Sequence, residues 1–111
     1  MKKSLGPTVA ELSLQDYPHI KPVAKTQFSM LTDEVLKSLK ADHPDVNTII
    51  LCGIEAHVCV QGTALQAINN GYDVHIVVDG CSSRSMVDRM FAFERMKAAG
   101  AWLTTSESVI L

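Results

Sequence analysis

The sequence predicts an α/β fold in which a parallel β-sheet lies between two layers of helices, giving three layers. Strand-like and helix-like segments alternate along the chain in the order βαβαβαβ. Two of the strand-like segments, residues 48–53 and 72–78, are largely continuous apolar runs. Such runs are typical of parallel strands buried on both faces, and the short connections between elements call for right-handed crossovers.

The first half of the chain predicts a strand, a helix and a second strand. After a lead-in containing Gly and Pro, residues 21–25 (KPVAK) could form a short buried strand. Thr32 is a suitable N-cap for a helix whose apolar residues, including Val35 and Leu39, share one face. The run TIILCG at residues 48–53 predicts the next strand.

The second half continues the alternation. A helix is predicted over residues 57–70, because the sequence NNG places Gly71 just after its last turn. A capping pattern from Ser85 to Asp88 begins another helix, which ends at Gly100. The remaining predicted elements are strands over residues 72–78 and 101–105 and a helix start at 106–111.

Composition predicts one globular domain over residues 1–111, since 47% of the residues are hydrophobic and 20% are charged. The net charge is −2 and the Lys and Arg residues are scattered, so we expect no nucleic-acid partner. No apolar run approaches the roughly 18 residues of a membrane span. Three cysteines without disulfide-like spacing indicate a reducing compartment, so we expect the cytoplasm, with the nucleus also possible.

Three segments that follow predicted strands are the candidates for a shared site. Lys25 ends the first strand, residues 53–59 follow the second, and residues 79–84 follow the third. In parallel α/β folds, ligands bind beyond the carboxyl ends of the strands. We therefore expect these three segments to meet at one edge of the sheet.

Cys59 lies in the first turn of a predicted helix, directly after a strand and a glycine. The amides at a helix start stabilise a thiolate and can also hold an oxyanion. A nearby lysine ammonium would act in the same direction. This position therefore predicts a nucleophile, although a buried core cysteine is the alternative.

Four sequence blocks, in this order and spacing, resemble the isochorismatase-like cysteine hydrolases, particularly the animal isochorismatase domain-containing proteins. The resemblance extends over nearly the whole chain and implies that family's Rossmann-like αβα hydrolase fold. The blocks are PVAKTQFSM, LCGIEAHVCV, VVDGCSSR and GAWLTTSE.

The resemblance implies a Cys, Lys, Asp triad in which Cys59 is the nucleophile and Lys25 the lysine. It also implies a cis peptide bond between Ile54 and Glu55, with the backbone amides of Glu55 and Cys59 forming the oxyanion hole. The implied reaction is thiolate attack on a carbonyl carbon of a small amide, ester or related compound, followed by hydrolysis of a thioester-type intermediate. No cofactor is implied.

Phe28, Ile54 and Asp79 are candidate pocket residues. Phe28 could instead fill the core, and Asp79 could instead cap a loop. For the neighbouring Ser83 and Arg84, a surface ion pair is the simpler alternative to substrate contact.

The triad acid implied by the resemblance has no match before Lys25, and we expect a domain shortened at both ends, without the first strand and helix. An alternative function follows: a catalytically impaired binding protein that joins oligomers of its own or of a full-length relative. Relatives of the nicotinamidase type hold a metal near that acid, so we expect no metal here. A zinc site at Cys52, His57 and Cys59 is disfavoured, because no fourth ligand has suitable spacing.

Overall fold

The structure is a computed structural model that describes residues 6–111. Within these residues the sheet has three parallel strands in the order β1-β2-β3. They are β1 (Thr48–Gly53), β2 (Asp73–Cys81) and β3 (Trp102–Thr104). The register between β1 and β2 shifts between Leu51 and Gly53, so the pairing becomes irregular towards the carboxyl end of β1.

Helices precede, connect and follow the strands, as the alternating pattern predicts. The helices are α1 (Asp33–Asp42), α2 (Gln61–Asn69), α3 (Met86–Ala98) and α4 (Ser106–Ile110). Helix α1 precedes β1, α2 joins β1 to β2, α3 joins β2 to β3, and α4 follows β3. A π-helical turn, Ala56–Val60, runs directly into α2, and 3₁₀ turns cover Ala10–Leu12 and Leu14–Asp16. No helix within residues 6–111 is both long and apolar enough to cross a membrane.

Side-chain caps fix the starts of α1 and α3 at the predicted residues. The Thr32 hydroxyl accepts from the Val35 amide at 3.3 Å, and the Ser85 hydroxyl accepts from the Asp88 amide at 3.3 Å. Each cap satisfies one amide that the first turn of a helix leaves without an intrahelical partner. The two helix starts were therefore predictable from local sequence.

The predicted strand at residues 21–25 is wrong, because this segment belongs to no strand. Pro22 has no amide hydrogen to donate to a ladder, and the remaining apolar residues bury little, with Val23 half-buried and Ala24 exposed. The segment instead leads to Leu31, which is 4% exposed and packs in the core.

Strand β1 is not buried on both faces as predicted. Its residues alternate between exposed and half-buried, and Ile50 is 54% exposed. β1 is an edge strand of the three-stranded sheet, whereas the central β2 carries the fully buried Val74 and Ile76. Apolar runs in sequence therefore did not distinguish the edge strand from the central one.

The core forms where α2 and α3 pack against β2. Small residues on α2, Ala64 and Ala67, are fully buried and allow the helix backbone to approach the sheet closely. From α3, Phe93 and Met96 complete the core. This packing fixes the start of α2 and with it the preceding π-helical turn, which carries Cys59.

Helix α3 also carries apolar residues that face away from the core. Met86, Val87, Met90 and Phe91 are between 50% and 68% exposed. Met86 and Met90 are four residues apart, as are Val87 and Phe91, so the two pairs lie side by side on one face of the helix. We call these four residues the α3 stripe. Exposed apolar surface of this kind is typical of sites where proteins associate.

Candidate active site

Lys25 and Cys59 lie together, although 34 residues separate them in sequence. The Lys25 Nζ atom is 3.5 Å from Cys59 Sγ, and both residues are half-buried. Nζ also donates to the Gln27 carbonyl at 3.0 Å, which limits the directions in which the lysine can point. The lysine ammonium and the thiol are therefore in direct contact.

Thr63 ties the lysine segment to the cysteine turn. Its hydroxyl donates to the Cys59 carbonyl at 2.6 Å and accepts from the Met30 amide at 2.8 Å. Thr63 is 3% exposed, so both bonds are shielded from water. Gln66, one turn further along α2, donates to the Leu31 carbonyl at 3.0 Å. Helix α2 therefore holds the cysteine turn and the backbone at Met30 and Leu31, which follows the lysine segment.

The sequence analysis did not identify Thr63. A signal exists: Thr63 lies four residues after Cys59, so a helix places it one turn further along the same face. A polar residue at a buried helix position needs hydrogen-bond partners. One of those partners, the Met30 amide, lies 33 residues away in the sequence, so a local sequence pattern cannot identify it.

The backbone between β1 and the cysteine has the shape that the resemblance implied. The Ile54–Glu55 peptide bond is cis, and Gly53 has φ +126°, a conformation that glycine adopts without a Cβ clash. The Glu55 carbonyl accepts from the amides of Val58 and Val60. The Glu55 amide itself donates to no acceptor within residues 6–111.

The loop after β2 lies against this turn, as predicted for segments at the same edge of the sheet. The Ala56 amide donates to the Ser82 carbonyl at 2.8 Å, and the Ser82 amide donates to the Gly53 carbonyl at 3.3 Å. The Arg84 amide donates to the Glu55 carboxylate at 3.1 Å. The loop therefore supports the turn from outside the helix.

Comparison with known proteins identifies the family. The Isochorismatase domain family matches residues 4–108 of this chain. This chain belongs to the isochorismatase family. Isochorismatase domain-containing protein 2 of Xenopus laevis is 55% identical over 109 residues, which are 98% of this chain and 51% of that protein. The human protein of the same name is 46% identical over the same shares.

Solved structures agree with this fold. The MAR1 ribonuclease from Caenorhabditis elegans superposes with a TM-score of 0.82 at 45% identity, covering 99% of this chain and 55% of that one. YcaC from Pseudomonas aeruginosa, solved with hexane-2,5-diol and covalent acrylamide, gives 0.79 at 31% identity, covering 94% and 51%. This isochorismatase domain chain therefore spans about half the length of the relatives that it matches. Its parallel α/β architecture is that of isochorismatase-like hydrolases.

All three predicted pocket residues of this isochorismatase domain, Phe28, Ile54 and Asp79, are exposed. Phe28 is 70% exposed and Ile54 is 69% exposed, so Phe28 does not fill the core. Their role in a substrate pocket stays a prediction. A cleft of about 340 Å³ lies elsewhere, between β2, α3 and the end of β3. Its lining residues are Val78, Arg89, Phe93, Leu103, Thr104 and Thr105.

Asp79 caps the last helix in the structure. Its carboxylate accepts from both the amide and the hydroxyl of Ser106, at the start of α4. These two bonds hold the pKa of Asp79 below its ordinary value, since they favour the ionised form. The alternative of a loop-capping role thus has direct support, and substrate contact by Asp79 stays untested.

Lys25 has no ion-pair partner in the described part of the chain: no carboxylate of residues 6–111 forms an ion pair with it. Within the same residues, no group of three or more His, Cys, Asp or Glu side chains is arranged to hold a metal ion. The site as described therefore consists of a thiol, a cation and backbone amides.

Proposed function

We propose that this protein is a cysteine hydrolase in which the Cys59 thiolate attacks the carbonyl carbon of a small amide or ester. The observation that carries the proposal is the 3.5 Å contact between Lys25 Nζ and Cys59 Sγ. A core cysteine has no need of a lysine ammonium, whereas a nucleophilic thiolate is stabilised by one. A solved relative at 32% identity, the Escherichia coli YcaC protein, is described as a hydrolase, which supports a hydrolytic reaction.

The proposed reaction has two stages. In the first, the thiolate forms a bond to the carbonyl carbon and the C–N or C–O bond to the leaving group breaks, with the Lys25 ammonium giving its proton to the departing amine or alcohol. In the second, water attacks the resulting thioester and gives a proton back to the Lys25 amine, the S–C bond breaks, and the acid product and the thiolate are released. The amides of Glu55 and Cys59 would hold the oxyanion in both stages, and the unengaged Glu55 amide supports this role.

Covalent chemistry in a relative supports the choice of nucleophile. The Pseudomonas aeruginosa relative was solved with covalently bound acrylamide. Acrylamide is an electrophile that reacts preferentially with thiolates, so a reactive thiol in this family is chemically reasonable. All three cysteines of this chain are free thiols, which supports a reducing compartment such as the cytoplasm.

Thiol labelling tests the proposal. Under limiting iodoacetamide at neutral pH, Cys59 is expected to be alkylated before Cys52 and Cys81, as read by peptide mass spectrometry. Cys81 is 4% exposed, and burial raises the pKa of its thiol, so it should react last. Cys52 is exposed, and no lysine within residues 6–111 donates a hydrogen bond to its sulfur as Lys25 does to Cys59. It therefore tests whether exposure alone decides reactivity.

Lys25→Met provides the matched variant for this experiment. It should slow the labelling of Cys59 and leave the labelling of Cys52 unchanged in the same sample. Faster reaction of Cys52 than of Cys59 in the unaltered protein would show that Cys59 is not the activated thiol.

Self-association is the second part of the proposal, with a second copy or a longer relative as the partner. The Escherichia coli YcaC protein, 32% identical to this chain, is described as an octameric hydrolase. The exposed α3 stripe supplies apolar surface of the kind that such contacts bury.

We expect light scattering to find species larger than a monomer, and Phe91→Glu to shift the distribution towards the monomer because it places a charge in the stripe. Phe28→Glu, at a phenylalanine outside the stripe that is even more exposed than Phe91, is the control. A sharply melting monomer at all concentrations would contradict self-association.

A further inference from the structure

A second group of polar side chains lies beside the cysteine turn and is not used by the proposed chemistry. At its centre is His57, whose side chain is 18% exposed. The His57 Nδ1 atom is 2.9 Å from the Ser83 hydroxyl oxygen. Two carboxylates lie further away, with Glu55 3.8 Å from Nδ1 and Asp88 3.9 Å from Nε2. The short contact to Ser83 is thus the one hydrogen bond that the ring makes among residues 6–111.

The location of His57 connects two elements. It belongs to the π-helical turn Ala56–Val60 and lies two residues before Cys59, whereas Ser83 belongs to the loop between β2 and α3. The contact spans 26 residues of sequence. The hydrogen bond between His57 and Ser83 therefore also restrains the short turn that carries the thiol.

The turn needs such external support, because it lacks the usual local cap. Glu55, at the N-cap position, makes no side-chain bond to the amides of the turn. The first amide, that of Ala56, bonds instead to the Ser82 carbonyl. Since helix starts without side-chain caps depend on other partners for their amides, the loop after β2 sets the orientation of this turn.

We propose that His57 is a positioning residue that, through Ser83, fixes the turn carrying Cys59 against the loop Ser82–Arg84 and so holds the thiol beside Lys25. The proposal rests on the proposed function for the importance of the thiol, but it concerns thiol geometry rather than turnover. His57 does not touch the reacting sulfur in this account; it acts through the backbone of the turn.

The chemistry of the pair suits a positioning role. A serine hydroxyl can both donate and accept, and the imidazole Nδ1 can do either, depending on its tautomer. The hydroxyl can therefore rotate to keep the bond whether the ring is neutral or protonated. An asparagine side chain places an amide near the position of Nδ1 and can also bond to Ser83, so it should replace histidine in this role.

The test measures the second-order rate of Cys59 alkylation by iodoacetamide in the full chain. We expect His57→Ala and Ser83→Ala each to slow it about fivefold, the equivalent of one ordinary hydrogen bond. The double variant should be no slower than either single variant, because both remove the same contact. His57→Asn should restore most of the rate. His43→Ala, at an exposed histidine at the end of α1, should label as the unaltered protein does.

The labelling of Cys52 and Cys81 in the same samples separates positioning from loosening of the fold. A destabilised fold would expose the buried Cys81 and speed its labelling, whereas a positioning defect changes Cys59 alone. Should His57→Ala fail to fold, Ser83→Ala and His57→Asn carry the test, with slower Cys59 labelling expected in the first and near-normal labelling in the second.

Additive effects, unchanged Cys59 labelling in Ser83→Ala, or failure of asparagine to restore the rate would each overturn the positioning role. These outcomes can be distinguished from failure of the proposed function. If the proposed function is wrong, Cys59 will react no faster than Cys52 in the unaltered protein.

Discussion

Replacement of Cys59 by alanine is expected to lower the hydrolysis of an activated ester such as p-nitrophenyl acetate by about a thousandfold or more, because it removes the thiol that we propose as the nucleophile. Stopped-flow absorbance would measure the burst of acylation. Intact-mass spectrometry would detect the acyl group on the unaltered protein and its absence from the variant.

Cys52→Ala is the control for this experiment, since Cys52 is the more exposed thiol and lies at the end of the neighbouring strand. It should keep both the burst and the acyl group. An acyl group that persists in Cys59→Ala would place the nucleophile elsewhere. Equal losses in both variants would indicate damage to the fold.

The second large effect concerns the triad carboxylate. We expect a chain joined at its N-terminus to the corresponding segment of a full-length relative, with that segment's strand-end Asp, to hydrolyse small amides or esters at least about a hundredfold faster than the same chain carrying Asn. A positioned general base contributes about 10² to 10⁴ in rate. In the described part of the present chain, no carboxylate pairs with Lys25 to supply this function.

The Asp and Asn chains differ by one group of nearly the same shape, so the comparison isolates proton transfer from folding. Steady-state rates with a small amide would measure it, and thermal melts of both chains would verify equal stability. Equal turnover by the two chains would refute the triad interpretation. The protein would then be better described as a binding or oligomer-partner protein that keeps the family fold.

Much of the fold could be predicted because its signals are local. The caps at Thr32 and Ser85 bond within their own helices. Strand β2 contains an apolar run that predicts a strand, and its Val74 and Ile76 are fully buried. The strand expected at residues 21–25 does not form, because a strand needs a neighbouring strand to pair with and the sequence pattern does not show which neighbour is present. For the same reason, the sequence did not show that one face of β1 is exposed.

The sequence predicted the main residues of the candidate site, but not the residues whose hydrogen bonds hold them in place. Lys25 was expected near the cysteine turn because a strand was predicted at residues 21–25, and the contact exists although that strand does not. The resemblance supplied the roles expected for the two residues. Thr63 and His57 were not identified as contacts, because each bonds to a residue far away in the chain. Such bonds depend on tertiary packing, which no local pattern specifies.

The attachment of the lysine segment has a consequence for the dynamics of the protein. Residues 21–25 pair with no strand, and the segment is secured further along, where Met30 and Leu31 bond to side chains of α2. Segments held by few hydrogen bonds open more readily than sheet ladders do. A local opening here would carry Lys25 away from the sulfur while the strands remain paired. The fraction of molecules in which Lys25 contacts the sulfur is then set by the opening equilibrium of this one segment, and it can fall while the protein as a whole remains folded.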